Sequence, residues 1–228
     1  AFVSDGLVAY YPFNGNAKDE SGNGNDGKVI GATLGNDRHG KGDNAYIFDG
    51  EDDLIEVNDR DALDLGEGPD KEWSISVWCK PIDATGAVPG STLVAKAGYN
   101  GLGGSDYTDY RIMYENGKWI WGTGKFQRGL DGAWMRHEAD LQKKWTQLTV
   151  TYDSSGKGSK SIYINGEKVS TGGIGRHECA ALKTPLRIGA DINSEYRSFW
   201  DGLIDDVRIY NRVLSEEQVK AIYDREKP

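Results

Sequence analysis

In Asp19-Glu20-Ser21-Gly22-Asn23-Gly24-Asn25-Asp26-Gly27, oxygen-bearing side chains fall at every second position: Asp19, Ser21, Asn23 and Asn25. The intervening glycines let the backbone fold tightly around a point. Oxygens so spaced suit a hard cation such as calcium, which takes roughly six to eight of them in flexible geometry. The same residue types also build ordinary polar turns, so the stretch alone leaves both readings open. It is not an EF-hand, because no helical period flanks it and Ile30 stands where the bidentate glutamate belongs. A second carboxylate of interest is Asp205, within Gly202-Leu-Ile-Asp-Asp-Val-Arg-Ile-Tyr210. Read as a strand, Leu203, Asp205, Val207 and Ile209 share one face. A carboxylate in phase with apolar residues needs a counter-charge or a metal. The expectation is that Asp205 closes a calcium site opened by Asp19 and ties the two ends of the chain together. Asp49, Asp52 and Asp53 are either further metal oxygens or a solvated hairpin end.

Sugar recognition is the other chemistry the residues suggest. Sugars present flat apolar ring faces edged with hydroxyls, so their sites need exposed aromatics beside polar groups. Trp78, Trp119 and Trp121 stand opposite apolar neighbours in alternating segments, and Tyr99, Tyr107, Tyr196, Phe199 and Trp200 lie in Gly- and polar-rich stretches. Lys96, Arg111 and Arg187 suit hydroxyls or uronates. The expected ligand-binding set is Trp200, Tyr196, Arg111, Trp119, Trp121, Lys96, Tyr110 and Tyr99. Against it stands the commoner placement of large aromatics in cores, and Trp145, with Trp78, reads that way.

Catalysis finds less support. Glycoside hydrolysis needs two carboxylates about 5 to 10 Å apart, and Glu56-Val-Asn-Asp59, the nearest pattern, runs into a loop. No Gly-x-Ser-x-Gly elbow occurs. Tyr110, Arg111 and His137 are only the scattered parts of a lyase constellation. His177-Glu178-Cys179 resembles half a zinc site with no second pair to complete it. Gly35-Asn-Asp-Arg-His-Gly40-Lys41-Gly42 falls short of a phosphate-binding P-loop, since Gly42 replaces the Ser or Thr and no helix follows.

A net charge of -9 argues against a nucleic-acid partner, which needs a basic stripe. No apolar run reaches the roughly 18 residues of a membrane span. The opening Ala1-Phe2, without Met, suits a trimmed mature protein or a module of a longer one. Cys79 and Cys179, the two cysteines, form either one disulfide or, for Cys79 in phase with Ile75 and Val77, a buried thiol.

These residues are carried by many short strands. Strands are read over Gly6 to Phe13, Ala45 to Gly50, Leu54 to Val57, Trp73 to Lys80, Trp145 to Tyr152, Leu186 to Ala190 and Leu203 to Tyr210, with clean alternation in Leu54 to Val57 and Trp73 to Lys80. Glu115-Asn116-Gly117 joins Tyr110–Tyr114 to Lys118–Gly122, and Asn165-Gly166 joins a second hairpin. Residues 84 to 109 read as one strand around Leu93 followed by a long loop. One helix closes the chain, with Ser215 and Gln218 at capping-box spacing and Leu214 and Val219 at staple spacing. The fold class is all-β: a two-sheet antiparallel jelly-roll sandwich with one short C-terminal helix, in one domain over residues 1–228.

The chain resembles laminin-G-like jelly rolls of the concanavalin A-like superfamily, especially bacterial extracellular ones. The motifs are Gly6-Leu-Val-Ala-Tyr-Tyr-Pro-Phe13, Asp19-Glu-Ser-Gly-Asn-Gly-Asn25, Phe48-Asp-Gly50, Trp73-Ser-Ile-Ser-Val-Trp78, Trp145-Thr-Gln-Leu-Thr-Val-Thr-Tyr152, Ile162-Tyr-Ile-Asn-Gly166 and Ile204-Asp-Asp-Val-Arg-Ile-Tyr-Asn-Arg-Val-Leu-Ser215. They run in family order from about residue 6 to 223. The resemblance implies a structural calcium on Asp19, Asn25 and Asp205, with Asn23 and Asp49 as weaker ligands. It also implies a secreted, non-catalytic carbohydrate-binding module of a larger polysaccharide-processing or cell-surface protein. Protein adhesion is the alternative, because this fold hosts both, and hydrolysis in relatives.

Overall fold

The computed structural model describes residues 3–66, 71–82, 91–99, 106–125, 134–138, 143–155, 158–173, 182–192 and 197–228. The strands are β1 (Leu7–Tyr11), β2 (Gly27–Ile30), β3 (Thr33–Gly35), β4 (Ala45–Asp49), β5 (Leu54–Val57), β6 (Glu72–Pro81), β7 (Ser91–Tyr99), β8 (Asp106–Glu115) and β9 (Lys118–Lys125). They continue as β10 (Trp134–Glu138), β11 (Thr146–Asp153), β12 (Ser159–Ile164), β13 (Glu167–Gly172), β14 (Leu186–Ile188), β15 (Ala190–Ile192), β16 (Arg197–Phe199) and β17 (Asp201–Tyr210). The helix α1 (Glu216–Glu226) ends the chain. An eight-stranded sheet runs β13-β12-β11-β6-β17-β4-β3, with β1 also on β17. A seven-stranded sheet runs β10-β9-β8-β7-β14-β5-β2, and β15-β16 form a separate ribbon. Among the described residues every pairing is antiparallel.

The core lies between the two large sheets. Ile75, Val77 and Cys79 of β6 and Ile204, Val207 and Ile209 of β17 face Ile55, Val94, Ile112 and Trp121 across it. Trp73 packs edge-on to Trp121 at 5.5 Å, joining the sheets. Cys79 is a fully buried free thiol, and burial pushes its pKa well up; Cys179 and His177 lie outside the described residues.

The hairpins form as the turn chemistry demands. Asn116 and Asn165 take positive φ ahead of Gly117 and Gly166. Gly166 has a second duty: a Cβ there would sit 2.9 Å from Tyr223 Cβ, so its absence lets the turn approach α1. Ser215 caps α1 and Gln218 completes the box. Leu214 and Val219 are buried in one cluster with Tyr210 and Ile222.

Three expectations need correction. The strand read over Leu186 to Ala190 breaks at Gly189, whose φ is 84° and where a Cβ would lie 2.3 Å from the Phe48 ring. The chain leaves the sheet there and forms the β15-β16 ribbon. The stretch from 84 to 109 holds more strand than expected, since β7 runs to Tyr99 and β8 starts at Asp106. Trp145 is half-buried and does not join the core.

Candidate ligand-binding face

The strict alternation read over β17 fails in the middle. Residues Asp201–Ile204 pair with β4, and Val207–Tyr210 pair with β1 on the same flank. Between them the register with β6 shifts, and Asp206 takes φ 46°. One extra residue at such a bulge reverses the facing of everything beyond it. Ile204, Val207 and Ile209 therefore face the core, while Asp205, Asp206 and Arg208 all leave it. Asp205 is not in phase with the apolar set.

Its partner is Arg38, on the loop after β3. Arg38 lies 2.5 Å from Asp205 Oδ2 and 2.7 Å from Asp206 Oδ2. Arg208 pairs with Asp206 at 2.9 Å and with Glu226 of α1 at 2.8 Å. Burial, then the charge of Asp206, raises the Asp205 pKa, with Arg38 opposing both. Trp78 lies under this group, its ring stacked on Tyr223 and its Nε1 donating to Glu226 Oε2 at 2.9 Å.

The residues expected to hold calcium are not brought together around one point. Asp19 Oδ1 accepts from the backbone N–H of Tyr10 and Ser21, and Oδ2 from that of Asn25, all at 2.9 Å. Asn23 and Asn25 turn their amide nitrogens onto the Val8 carbonyl, each at 2.9 Å, which pins the loop to β1. Asp49 belongs to a different group, with Asp52 and Asp53, whose ligand atoms lie within 4.8 Å of one another. Asp49 Oδ1 there accepts the backbone N–H of Glu51 and Asp52. A single calcium on Asp19, Asn23, Asn25, Asp49 and Asp205 does not fit these partners.

The expected aromatic binding set is also relocated. Trp119, Trp121 and Trp200 are each 1 % exposed, and Tyr110 is fully buried. They face the core, where Trp119 stacks on Trp200 at 6.4 Å and Tyr110 packs on Trp73 at 5.7 Å. Their ring faces are covered by protein, so the reading of exposed stacking platforms is corrected for these four. Lys96 shares its register row with Leu186 and Tyr110, so it points between the sheets. There its ammonium meets Asp59 and Asp64 at 2.8 Å, Asp109 at 3.6 Å, and the carbonyls of Leu182 and Thr184. Its donors are spent tying loops to the sheet, which removes it from the sugar-binding set. Tyr196 and the side chain of Tyr99 lie outside the described residues. Tyr110 and Arg111 take opposite faces of β8, so the lyase constellation does not assemble from them.

Arg111 does face outward, in a row that crosses the whole seven-stranded sheet. In register order the row is Lys28, Glu56, Arg187, Ala95, Arg111, Gly122 and Trp134. Two small residues, Ala95 and Gly122, alternate with two guanidinium groups. Arg187 reaches Glu56 at 3.4 Å and donates to the Ile192 carbonyl at 3.1 Å. Arg111 pairs with Asp191 of β15 and lies 5.8 Å from the centre of the Trp134 ring. The row is open at one end and covered at the other: Lys28 is exposed, the Glu56 and Arg187 side chains are 34 % and 15 % exposed, and Arg111 and Trp134 are buried. Sequence reasoning found Arg111 and Arg187 but missed Trp134 and Asp191. Trp134 follows a glycine-rich stretch without alternation, and Asp191 depends on the turn at Gly189.

A laminin G family model described as the concanavalin A-like lectin/glucanases superfamily matches residues 49–220. No curated protein matches the sequence. Among solved structures, the chain is similar to the binding domain of botulinum neurotoxin DC in complex with SialylT, with TM-score 0.71 and 15 % identity over 97 % of this chain and 52 % of that one. It is similar to the binding domain of Paraclostridial Mosquitocidal Protein 1, with TM-score 0.70 and 18 % identity over 97 % and 52 %. A third structure, the neurotoxin DC domain in complex with rat synaptotagmin II, gives 0.70 and 15 % over 98 % and 52 %. The chain thus spans about half the length of each, and at these identities the likeness is one of fold.

Proposed function

The chain belongs to the concanavalin A-like lectin/glucanases superfamily, and from that premise we propose that it is a non-catalytic carbohydrate-binding module of a larger secreted protein. The outer row, at its open Lys28–Glu56–Arg187 end, carries this reading. At the open end of the row, the Arg187–Glu56 pair, 15 % and 34 % exposed, and the exposed Lys28 offer donors and acceptors to vicinal hydroxyls. Trp134, buried against Met113 and Ile120, anchors the covered end of the row. A sugar docks at the Glu56–Arg187 end, beside Lys28.

Two further observations support a recognition role. The similar binding domain of botulinum neurotoxin DC is described in complex with SialylT in one structure and with rat synaptotagmin II in another, so a domain of which this fold is about half has both a glycan and a protein partner. The second gives the alternative, protein adhesion, a specific basis. A glycan and polysaccharide array on the isolated protein separates the two. Selective glycan signals that free sugar competes away are expected. An empty array, together with capture of a protein receptor that sugar does not displace, favours adhesion.

A further inference from the structure

We propose that Arg38 is a built-in cation that does, at the junction of the chain's two ends, the neutralising task the sequence assigned to calcium. The bulge in β17 places Asp205 and Asp206 side by side on the outer face, where the flanking partner changes from β4 to β1. Their side chains are 2 % and 9 % exposed, so their mutual repulsion is poorly screened by water. Something positive must stand between them.

Arg38 does so with one nitrogen, Nη1, within 2.7 Å of both carboxylates. Its Nε donates to the backbone carbonyl of Glu226, at the end of α1. Its guanidinium carbon lies 4.9 Å from the centre of the Trp78 ring, and the side chain is 7 % exposed. One side chain from the loop after β3 thus joins β6, β17 and α1. A planar fork of donors meets a pair of carboxylates and a carbonyl with directed bonds, and it cannot dissociate as an ion does. The Asp205–Asp206 pair is therefore neutralised, and tied to α1, without a metal at this position.

The test is thermal melting in EDTA and in millimolar calcium, for the wild type and for Arg38→Ala, Arg38→Lys and the double variant Arg38→Ala with Asp205→Asn. The wild-type midpoint is expected to be the same in both buffers. Arg38→Ala should melt roughly 6–15 °C lower, because it leaves the buried Asp205 carboxylate uncompensated beside Asp206, which keeps Arg208. Arg38→Lys should fall between, and the double variant should regain part of the loss. If Arg38→Ala does not yield folded protein, the lysine and double variants carry the comparison. A calcium-dependent rise in the wild type that vanishes in Asp205→Asn overturns the proposal, as does an arginine variant that melts like the wild type. A rise that vanishes only in Asp49→Asn supports it, since it puts the ion at Asp49, Asp52 and Asp53 and leaves Asp205 to Arg38.

Discussion

Trp200, between β16 and β17, shows how a single residue's role turns on which way the chain points it. Its ring stacks on Trp119 in the interior, so Trp200→Ala removes a buried indole rather than a sugar platform. The variant should lose about 3–5 kcal/mol of stability in denaturant unfolding while keeping wild-type glycan affinity at temperatures where it is folded. Lost affinity with unchanged stability would return Trp200 to the binding set. Asp109 makes a second case. Burial raises its pKa to about 7, with Lys96 pulling down and Asp64 pushing up. The folded state then holds this proton across a range where the unfolded chain, near the model-peptide value of about 3.9, has released it. The resulting stability is present at low pH and lost as pH rises from about 4 to about 7. Asp109→Asn keeps the shape and removes the titration. Its melting temperature should vary less than the wild type's between pH 4 and 7.5, and parallel profiles would contradict the assignment. Alternation in the sequence separated Trp119 and Trp121 from Ile120 correctly. It could not say which of the two faces meets the other sheet, because that depends on the partner strands.

At the scale of elements, local signals were reliable where backbone geometry alone decides. Asn116-Gly117 and Asn165-Gly166 require positive φ, and both hairpins form there. The capping box is equally local: Ser215 Oγ accepts from the Gln218 N–H at 3.3 Å, and Gln218 Oε1 accepts from the Ser215 N–H at 3.0 Å. Ser215→Ala should cost about 1 kcal/mol, read as a fall in melting temperature of roughly 2–4 °C. No change would mean that packing of Leu214 and Val219 alone holds the helix. The bulge in β17 was not legible, because it arises where β4 gives way to β1, a fact about neighbours more than 150 residues away in the chain. That one slip turned Asp205 from a buried metal ligand into the partner of Arg38. Arg38 itself lay in a glycine-rich stretch whose resemblance to a phosphate loop drew attention to Lys41 instead.

For the molecule as a whole, the two-sheet sandwich and its closing helix were readable from strand spacing, turn residues and the family motifs. The binding face was only partly readable. Arg111 and Arg187 were in the sequence reading, but the row that unites them with Glu56, Ala95, Gly122 and Trp134 draws on strands from both halves of the chain. An acidic protein can still present such a local pair of guanidinium groups to a sugar, because each is matched by its own carboxylate rather than by the net charge of -9. The most direct test of this account is a calorimetric titration of an array-selected glycan into the wild type and into Arg187→Ala, whose side chain stands at the open end of the row. The account predicts a loss of affinity of about tenfold or more at a temperature where both proteins are folded, as expected for one charge-assisted hydrogen-bonding group. Equal affinities in the two proteins would contradict it and move the site away from this face.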